Sequence, residues 1–95
     1  MIEVAPKEYE RVLNWHDAMM YCQLLTIDNK DDWRLPTLAE LKDIYKSEND
    51  LSNAYWSSTE HNGVYAWCKS MLDGYQWYVF KDVSGHVRAV RSLNN

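Results

Sequence analysis

The side chains with reactive chemistry are few and widely spaced in this 95-residue chain. The thiols are Cys22 and Cys68, and the imidazoles are His16, His61 and His86. These residues lack the close, regular spacing of zinc ligands. A catalytic thiol would need a base beside it, and the spacing does not require a pair of Cys68 with His61 or His86. The pattern favours cysteines that pack as small buried side chains and histidines at the surface.

Two polar segments resemble functional loops only in part. Asp28 and Asp32 have EF-hand spacing, but Lys30 lies between them and Ala39 occupies the position of the bidentate glutamate. The hydroxyl run at residues 57–59 is not flanked by the glycines of a nucleophile elbow. We therefore predict that the protein has no metal, no cofactor and no catalytic residue.

The elements that would position any site begin with two capped helices. Asn14 is a favoured N-cap with Asp17 three residues later, and Thr37 with Glu40 forms a capping box directly after Pro36. Apolar residues at helical spacing follow the two caps: Trp15, Ala18, Met19, Cys22 and Leu25 in the first helix, and Leu38, Leu41, Ile44 and Tyr45 in the second. We expect both apolar stripes to pack against a sheet.

The second half of the chain has β periodicity. Strands are predicted at residues 55–59, 65–71, 76–81 and 86–92, with turns at Gly74 and Gly85. Two helices followed by an antiparallel meander make an α+β fold. The length fits one domain over residues 1–95.

Composition excludes several classes of partner. The net charge is −4 and the basic residues are scattered, which argues against a nucleic-acid interface. No apolar run approaches the ~20 residues of a membrane helix. The N-terminus lacks the pattern of a signal peptide, so we expect the protein to stay in the cytoplasm or to enter a virion.

Four blocks of residues carry a family likeness, namely 14–18, 32–37, 55–59 and 87–91. Their order and spacing resemble the DUF1566 family, also called the Lcl C-terminal domain. The resemblance implies a C-type-lectin-like fold, with two helices packed on a small twisted antiparallel sheet. It covers residues 14 to 92.

The chain departs from the family pattern at two places. Ala89 occupies the position of a cysteine that in members pairs with the cysteine of the first helix, so the resemblance implies that Cys22 has lost its partner. We predict no disulfide between Cys22 and Cys68. Only residues 1–13 precede the first helix, so the first strand is expected to be short or to be completed by another chain.

Aromatic residues supply the candidate binding site. The Trp33, Arg34 and Pro36 motif is interpreted as the structural entry to the second helix. The strands of the β half carry more aromatic side chains than one sheet face buries, although these rings could also cover the far side of the sheet. The predicted contact residues are His61, Asn62, Tyr65, Tyr75, Gln76 and Tyr78.

Three functions are compatible with these features. The first is a recognition module of a phage virion or adhesin that binds a protein or glycan surface. The second is a structural, decoration or assembly protein of a phage particle that buries its aromatic residues in a homo- or hetero-oligomer. The third is an enzyme related to formylglycine-generating enzymes, which lacks support because no paired active-site cysteines or metal ligands are recognisable.

Overall fold

The computed structural model describes residues 1–48 and 50–93. It contains two α-helices, α1 (Trp15–Leu24) and α2 (Leu38–Ser47), and a short 3-10 helix at Lys7–Tyr9. Its strands are β1 (Ile2–Val4), β2 (Arg11–Leu13), β3 (Ala54–Glu60), β4 (Tyr65–Ser70), β5 (Gln76–Phe80), β6 (Gly85–Val87) and β7 (Val90–Ser92). The chain is therefore α+β, as predicted. No helix in these residues is both long enough and apolar enough to cross a membrane.

Both predicted helix starts are confirmed. The Asn14 side chain accepts a hydrogen bond from the Asp17 amide at 2.9 Å, which satisfies a free N–H group of the first turn. At α2, the Thr37 hydroxyl accepts from the Glu40 amide at 3.1 Å, and the Glu40 carboxylate accepts from the Thr37 amide at 2.9 Å. These two reciprocal bonds complete a capping box.

The predicted antiparallel meander is confirmed for β3, β4 and β5 but is wrong for the next strand, β6, so the sheet is mixed. Five strands form one sheet in the order β2-β6-β3-β4-β5, and β1 pairs with β7 in a separate two-stranded sheet. β6 does not pair with β5 but inserts between β2 and β3, where it runs parallel to β3. The long-range pairing of β6 with the N-terminal residues replaces the local hairpin that the turn at Gly85 had indicated.

The single strand predicted at residues 86–92 is also wrong, because it breaks at Arg88. The Arg88 side chain is 2% exposed, and its Nε donates to the Ala5 carbonyl at 2.7 Å. Its terminal nitrogens donate to Glu10 at 3.1 Å and Asp50 at 2.7 Å. A buried guanidinium needs such partners, so the chain leaves the sheet at this point and resumes as β7.

The N-terminal residues form two short strands, in agreement with the expectation of a short first strand. β1 pairs antiparallel with β7, and β2 pairs antiparallel with β6. Both pairings are made within this chain. Residues 1–13 thus tie the last two strands to the rest of the fold.

The core has one cluster on each face of the five-stranded sheet. The cluster between α1 and the sheet contains Trp15, Trp33 and Trp56. The cluster between α2 and the sheet contains Leu41 and Tyr55. Successive strand residues point to opposite faces, which is why neighbouring Tyr55 and Trp56 enter different clusters. Trp33 is 3% exposed, so its predicted core position is confirmed.

Candidate functional site

One part of the sheet surface is covered by neither of the two described helices and is lined by rings. α2 packs on β3 and β4, on the face that carries Tyr55. Farther along this face, Tyr65 lies opposite Phe80 and Trp67 lies opposite Tyr78 in the β4–β5 register. These four rings together with His61 are called the aromatic face here. Tyr78 is 44% exposed and Phe80 is 50% exposed.

The rings of the aromatic face contact one another closely. The His61 ring is stacked on Tyr78, with 3.9 Å between the ring centroids. Tyr65 and Trp67 each meet Tyr78 edge-on, with centroids 5.2 Å away, and Tyr65 also lies 4.7 Å from Phe80. Edge-to-face and offset packing of this kind stabilises aromatic clusters. Tyr78 is therefore the central ring of the aromatic face.

The loop between β3 and β4 holds His61 in place. The Asn62 side-chain oxygen accepts from the amides of Val64 at 2.8 Å and Tyr65 at 2.9 Å. The amides of His61 and Asn62 both donate to the Tyr65 carbonyl. An asparagine side chain that closes a turn in this way fixes the local backbone. Asn62 thus supports the aromatic face through its turn.

A buried ammonium joins the end of β5 to the same loop. Lys81 is 6% exposed, and its Nζ donates to the Glu60 carboxylate and, at 3.2 Å, to the Gly63 carbonyl. The ammonium also lies 4.4 Å from the centroid of the Trp15 ring. Its charge is compensated by these contacts on the α1 side of the sheet, opposite the aromatic face.

The structure brings three of the six predicted contact residues together: His61, Tyr65 and Tyr78. Asn62 is beside them with its oxygen committed to the loop, and Gln76 is on the same face opposite Lys69. Tyr75 is 66% exposed but lies on the other face of the sheet, where its ring is stacked on Trp77.

Two residues of the aromatic face were not among the predicted contact residues. Phe80 lies two residues after Tyr78 along β5, so both side chains point to the same face. Trp67 lies two residues after Tyr65 along β4, and the β4–β5 register places it opposite Tyr78. Strand alternation was readable in the sequence and could have added Phe80 beside Tyr78 and Trp67 beside Tyr65, whereas the pairing of Trp67 with Tyr78 required knowledge of the register.

The candidate nucleophiles occupy buried positions. Burial raises the pKa of Cys22 and of Cys68 to about 12, and both thiols are free. The Ser57 hydroxyl is fully buried and donates to the Trp67 carbonyl at 2.7 Å. Among the residues that the structure describes, no group of three or more His, Cys, Asp or Glu side chains could hold a metal ion.

The Asp28–Asp32 segment has a structural arrangement. Asp28 and Asn29 have φ values of 52° and 66° and form a two-residue turn between Ile27 and Lys30, which exchange backbone hydrogen bonds. Asparagine and aspartate are favoured at such left-handed positions. Asp32 accepts from the Arg91 guanidinium at 2.6 Å. This pair holds the pKa of Asp32 below its ordinary value.

The Trp33–Pro36 motif is structural, as interpreted from the sequence. The Arg34 guanidinium donates two hydrogen bonds of 2.7 Å to the Glu40 carboxylate, which belongs to the capping box of α2. The Arg34 backbone exchanges hydrogen bonds with Val90, and the Pro36 carbonyl accepts from the Ser58 amide. The motif therefore connects the α2 start to β7 and β3.

Fold and site together define a small α+β domain with an uncovered aromatic sheet face. The Lcl C-terminal domain family, DUF1566, matches residues 4–91. The chain belongs to this family, and the likeness first observed in the sequence motifs is confirmed. No curated protein matches the chain.

Proposed function

We propose that the chain is a non-enzymatic recognition module that binds a protein surface through the aromatic face. The observation that carries this proposal is that α2 covers only part of one sheet face. α2 buries the part near Tyr55, whereas Tyr78 and Phe80 remain 44% and 50% exposed. An exposed cluster of rings on a rigid sheet is typical of an interaction site, because tyrosine and tryptophan dominate the energetics of interfaces.

Ring orientation supports a protein partner over a glycan. A sugar ring stacks best on an open aromatic face, but one face of Tyr78 is covered by His61. Tyr65 and Trp67 meet Tyr78 at interplanar angles of 73° and 77°, so the cluster presents a ridged surface of ring edges and faces. Such a surface fits the side chains of a protein better than the flat surface of a sugar.

The buried thiols support a non-enzymatic role. A thiolate is the reactive form of cysteine, and a pKa of about 12 keeps Cys22 and Cys68 protonated at neutral pH. The Ser57 hydroxyl is committed to a backbone carbonyl inside the sheet. The aromatic face itself offers rings for contact and not a nucleophile paired with a base.

We also propose that the fold is C-type-lectin-like. The support is the pairing of β1 with β7, which brings the first and last strands together while two helices pack on the main sheet. A setting in a phage virion or an adhesin, with the aromatic face binding a receptor or a neighbouring subunit, stays a prediction from the family resemblance.

A peptide selection tests the proposal. The immobilised chain is used to select binders from a yeast-displayed random-peptide library, and a glycan array is probed with the same protein. Tyr78→Ala and Phe80→Ala should abolish binding of the selected peptides. Leu24→Ala is the matched control, because Leu24 is 76% exposed on α1, away from the aromatic face. Peptides that still bind both β5 variants would refute the assignment, and glycans that need both rings would change the partner class.

A further inference from the structure

β5 is an end strand of the main sheet, and it lacks the charged residues that protect the other ends. Exposed edge strands usually carry charges, proline or bulges that prevent pairing with another chain. β2, the opposite edge, contains Arg11, and β1 of the small sheet contains Glu3. β5 reads Gln-Trp-Tyr-Val-Phe, with neither charge nor proline. It is also longer than either of these strands.

The hydrogen bonds to β4 show which backbone groups of β5 point outward. The Lys81 amide donates to the Val64 carbonyl, and the Ser70 amide donates to the Tyr75 carbonyl. In an antiparallel pair, alternate residues bond to the neighbouring strand, so Trp77 and Val79 also face β4. The residues between them, Gln76, Tyr78 and Phe80, therefore direct their N–H and C=O groups to the open edge.

This edge has unfilled hydrogen-bonding capacity. Within the described residues, the Phe80 carbonyl accepts from the Val83 amide at 3.2 Å, and the backbone groups of Gln76 and Tyr78 have no backbone partner outside the strand pairing. The Phe80 amide, within the same described residues, also has no backbone partner outside the strand pairing. The open groups alternate along the strand at the spacing of an antiparallel ladder.

We propose that β5 pairs antiparallel with β5 of a second copy of this chain, with the two-fold axis at Tyr78. In this register Tyr78 lies opposite Tyr78 of the second copy, and Gln76 lies opposite Phe80 of the second copy. Each outward N–H group of β5 then faces an outward carbonyl of the second copy, because Gln76, Tyr78 and Phe80 do not bond to β4 through their backbone. The pairing uses the same patch on both copies, so it closes as a symmetric dimer.

Charge and side-chain orientation are compatible with this register. Lys81 would lie opposite Tyr75 of the second copy, and its ammonium is already paired with Glu60. Asp82 would lie opposite Gly74 of the second copy, so no like charges face each other. Both aromatic faces lie on the same side of one continuous ten-stranded sheet, as follows from two five-stranded sheets. The inference goes beyond the proposed function and does not depend on it.

Sedimentation velocity with a matched pair of variants tests the edge. Gln76→Pro removes an outward N–H that β4 does not use, and proline is tolerated at such edge positions. Gln76→Ala retains the N–H and shortens the same side chain. We expect the wild type and Gln76→Ala to dimerise with rising concentration, between about 1 μM and about 1 mM. Gln76→Pro removes one bond from each copy and should weaken the dimer at least about tenfold.

Cross-linking tests the register with a different set of variants. The Tyr78→Cys thiol of one copy would lie opposite the same thiol of the second copy. The two Cα atoms would be about 5.5 Å apart, which suits a disulfide. The Phe80→Cys thiols of the two copies would lie about 13 Å apart, because Phe80 faces Gln76 of the second copy and four residues separate Gln76 from Phe80. Mild oxidation should therefore link Tyr78→Cys with itself, and Phe80→Cys only with Gln76→Cys.

The possible results separate this inference from the proposed function. A wild-type chain that stays monomeric over the whole concentration range would overturn the dimer. A folded Gln76→Pro variant that dimerises as strongly as the wild type would overturn it as well. Cross-linking of Phe80→Cys with itself overturns the register. Gln76→Pro and Gln76→Ala both lack the glutamine side chain and retain every ring of the aromatic face, so the Gln76→Pro monomer should bind the selected peptides as well as Gln76→Ala does. Loss of the dimer and loss of partner binding are thus measured independently.

Discussion

The His61 imidazole lies nearly parallel to the Tyr78 ring, with the centroids 3.9 Å apart and 10° between the planes. His61 comes from the loop after β3, and Tyr78 is in the middle of β5. The stack therefore links a loop to an edge strand across β4. Because this loop is also closed by Asn62, the ring of His61 forms a fixed part of the aromatic face.

Replacement of His61 by alanine should destabilise the fold and loosen Tyr78. We expect the free energy of unfolding to fall by about 0.5–1.5 kcal/mol, the value of an aromatic pair beyond its buried area. Urea unfolding measures this change. Val64→Ala is the control, since Val64 is 53% exposed in the same loop and has no ring that could stack on Tyr78. An equal loss in both variants would show that the stack contributes nothing of its own.

Gly85 should not tolerate a side chain. A Cβ at this position would lie 2.7 Å from Nε1 of Trp56, a fully buried ring whose Nε1 donates to the Leu13 carbonyl. We expect Gly85→Ala to lower the free energy of unfolding by about 1–3 kcal/mol, as overpacking does. Gly63→Ala is the control, because a Cβ there has no atom within 4 Å. Equal thermal unfolding of the two variants would contradict the prediction.

Acid should remove the contribution of the Arg34–Glu40 pair. The Arg34 guanidinium holds the pKa of Glu40 below its ordinary value of 4.5. A carboxyl whose pKa is lower in the folded state stabilises the fold above the unfolded pKa, and the effect is lost as pH falls through the folded value. The wild type should therefore exceed Glu40→Gln in stability at pH 7, and the difference should shrink below about pH 4.5.

Urea unfolding at a series of pH values measures this difference. Glu8→Gln is the control, because Glu8 is in no ion pair within the described residues. Its difference from the wild type should stay small and flat over the same range. A gap between the wild type and Glu40→Gln that persists unchanged into acid would contradict the assignment.

The two thiols should be present as free, unreactive groups in the folded protein. Cys22 and Cys68 are buried, and burial raises the pKa of each thiol to about 12. Labelling with a thiol reagent should be slow in buffer and complete at both cysteines in denaturant without reductant. Mass spectrometry counts the labels. An unlabelled protein in denaturant would mean that a disulfide joins Cys22 to Cys68.

Local signals in the sequence identified both helix starts. The Asn14 and Thr37 caps depend on residues only three positions away, so a few neighbours determine them. The insertion of β6 between β2 and β3 depends on residues more than seventy positions apart, such as Arg11 and Val87. No local pattern encodes such pairing, and the buried Arg88 that interrupts the last strand looks like any surface arginine in sequence.

The candidate site was predictable to the extent that strand alternation defines it. Alternation places Tyr78 and Phe80 on one face of β5 and Trp77 on the other. It does not give the β4–β5 register that brings Trp67 to Tyr78, nor the loop closure that brings His61 over the same ring. Tyr75 precedes β5 by one residue, and its stacking on Trp77 separates it from the aromatic face.

The pairing of β1 with β7 also determines how the domain can be joined to other polypeptides. Ile2 lies opposite Ser92, and the Leu93 amide donates to the Met1 carbonyl at 3.0 Å. A domain whose terminal strands meet side by side can be grafted into a surface loop of a host protein without stretching either junction. In a circularly permuted domain, a short linker could connect residue 93 to residue 1, with new ends opened at an exposed turn.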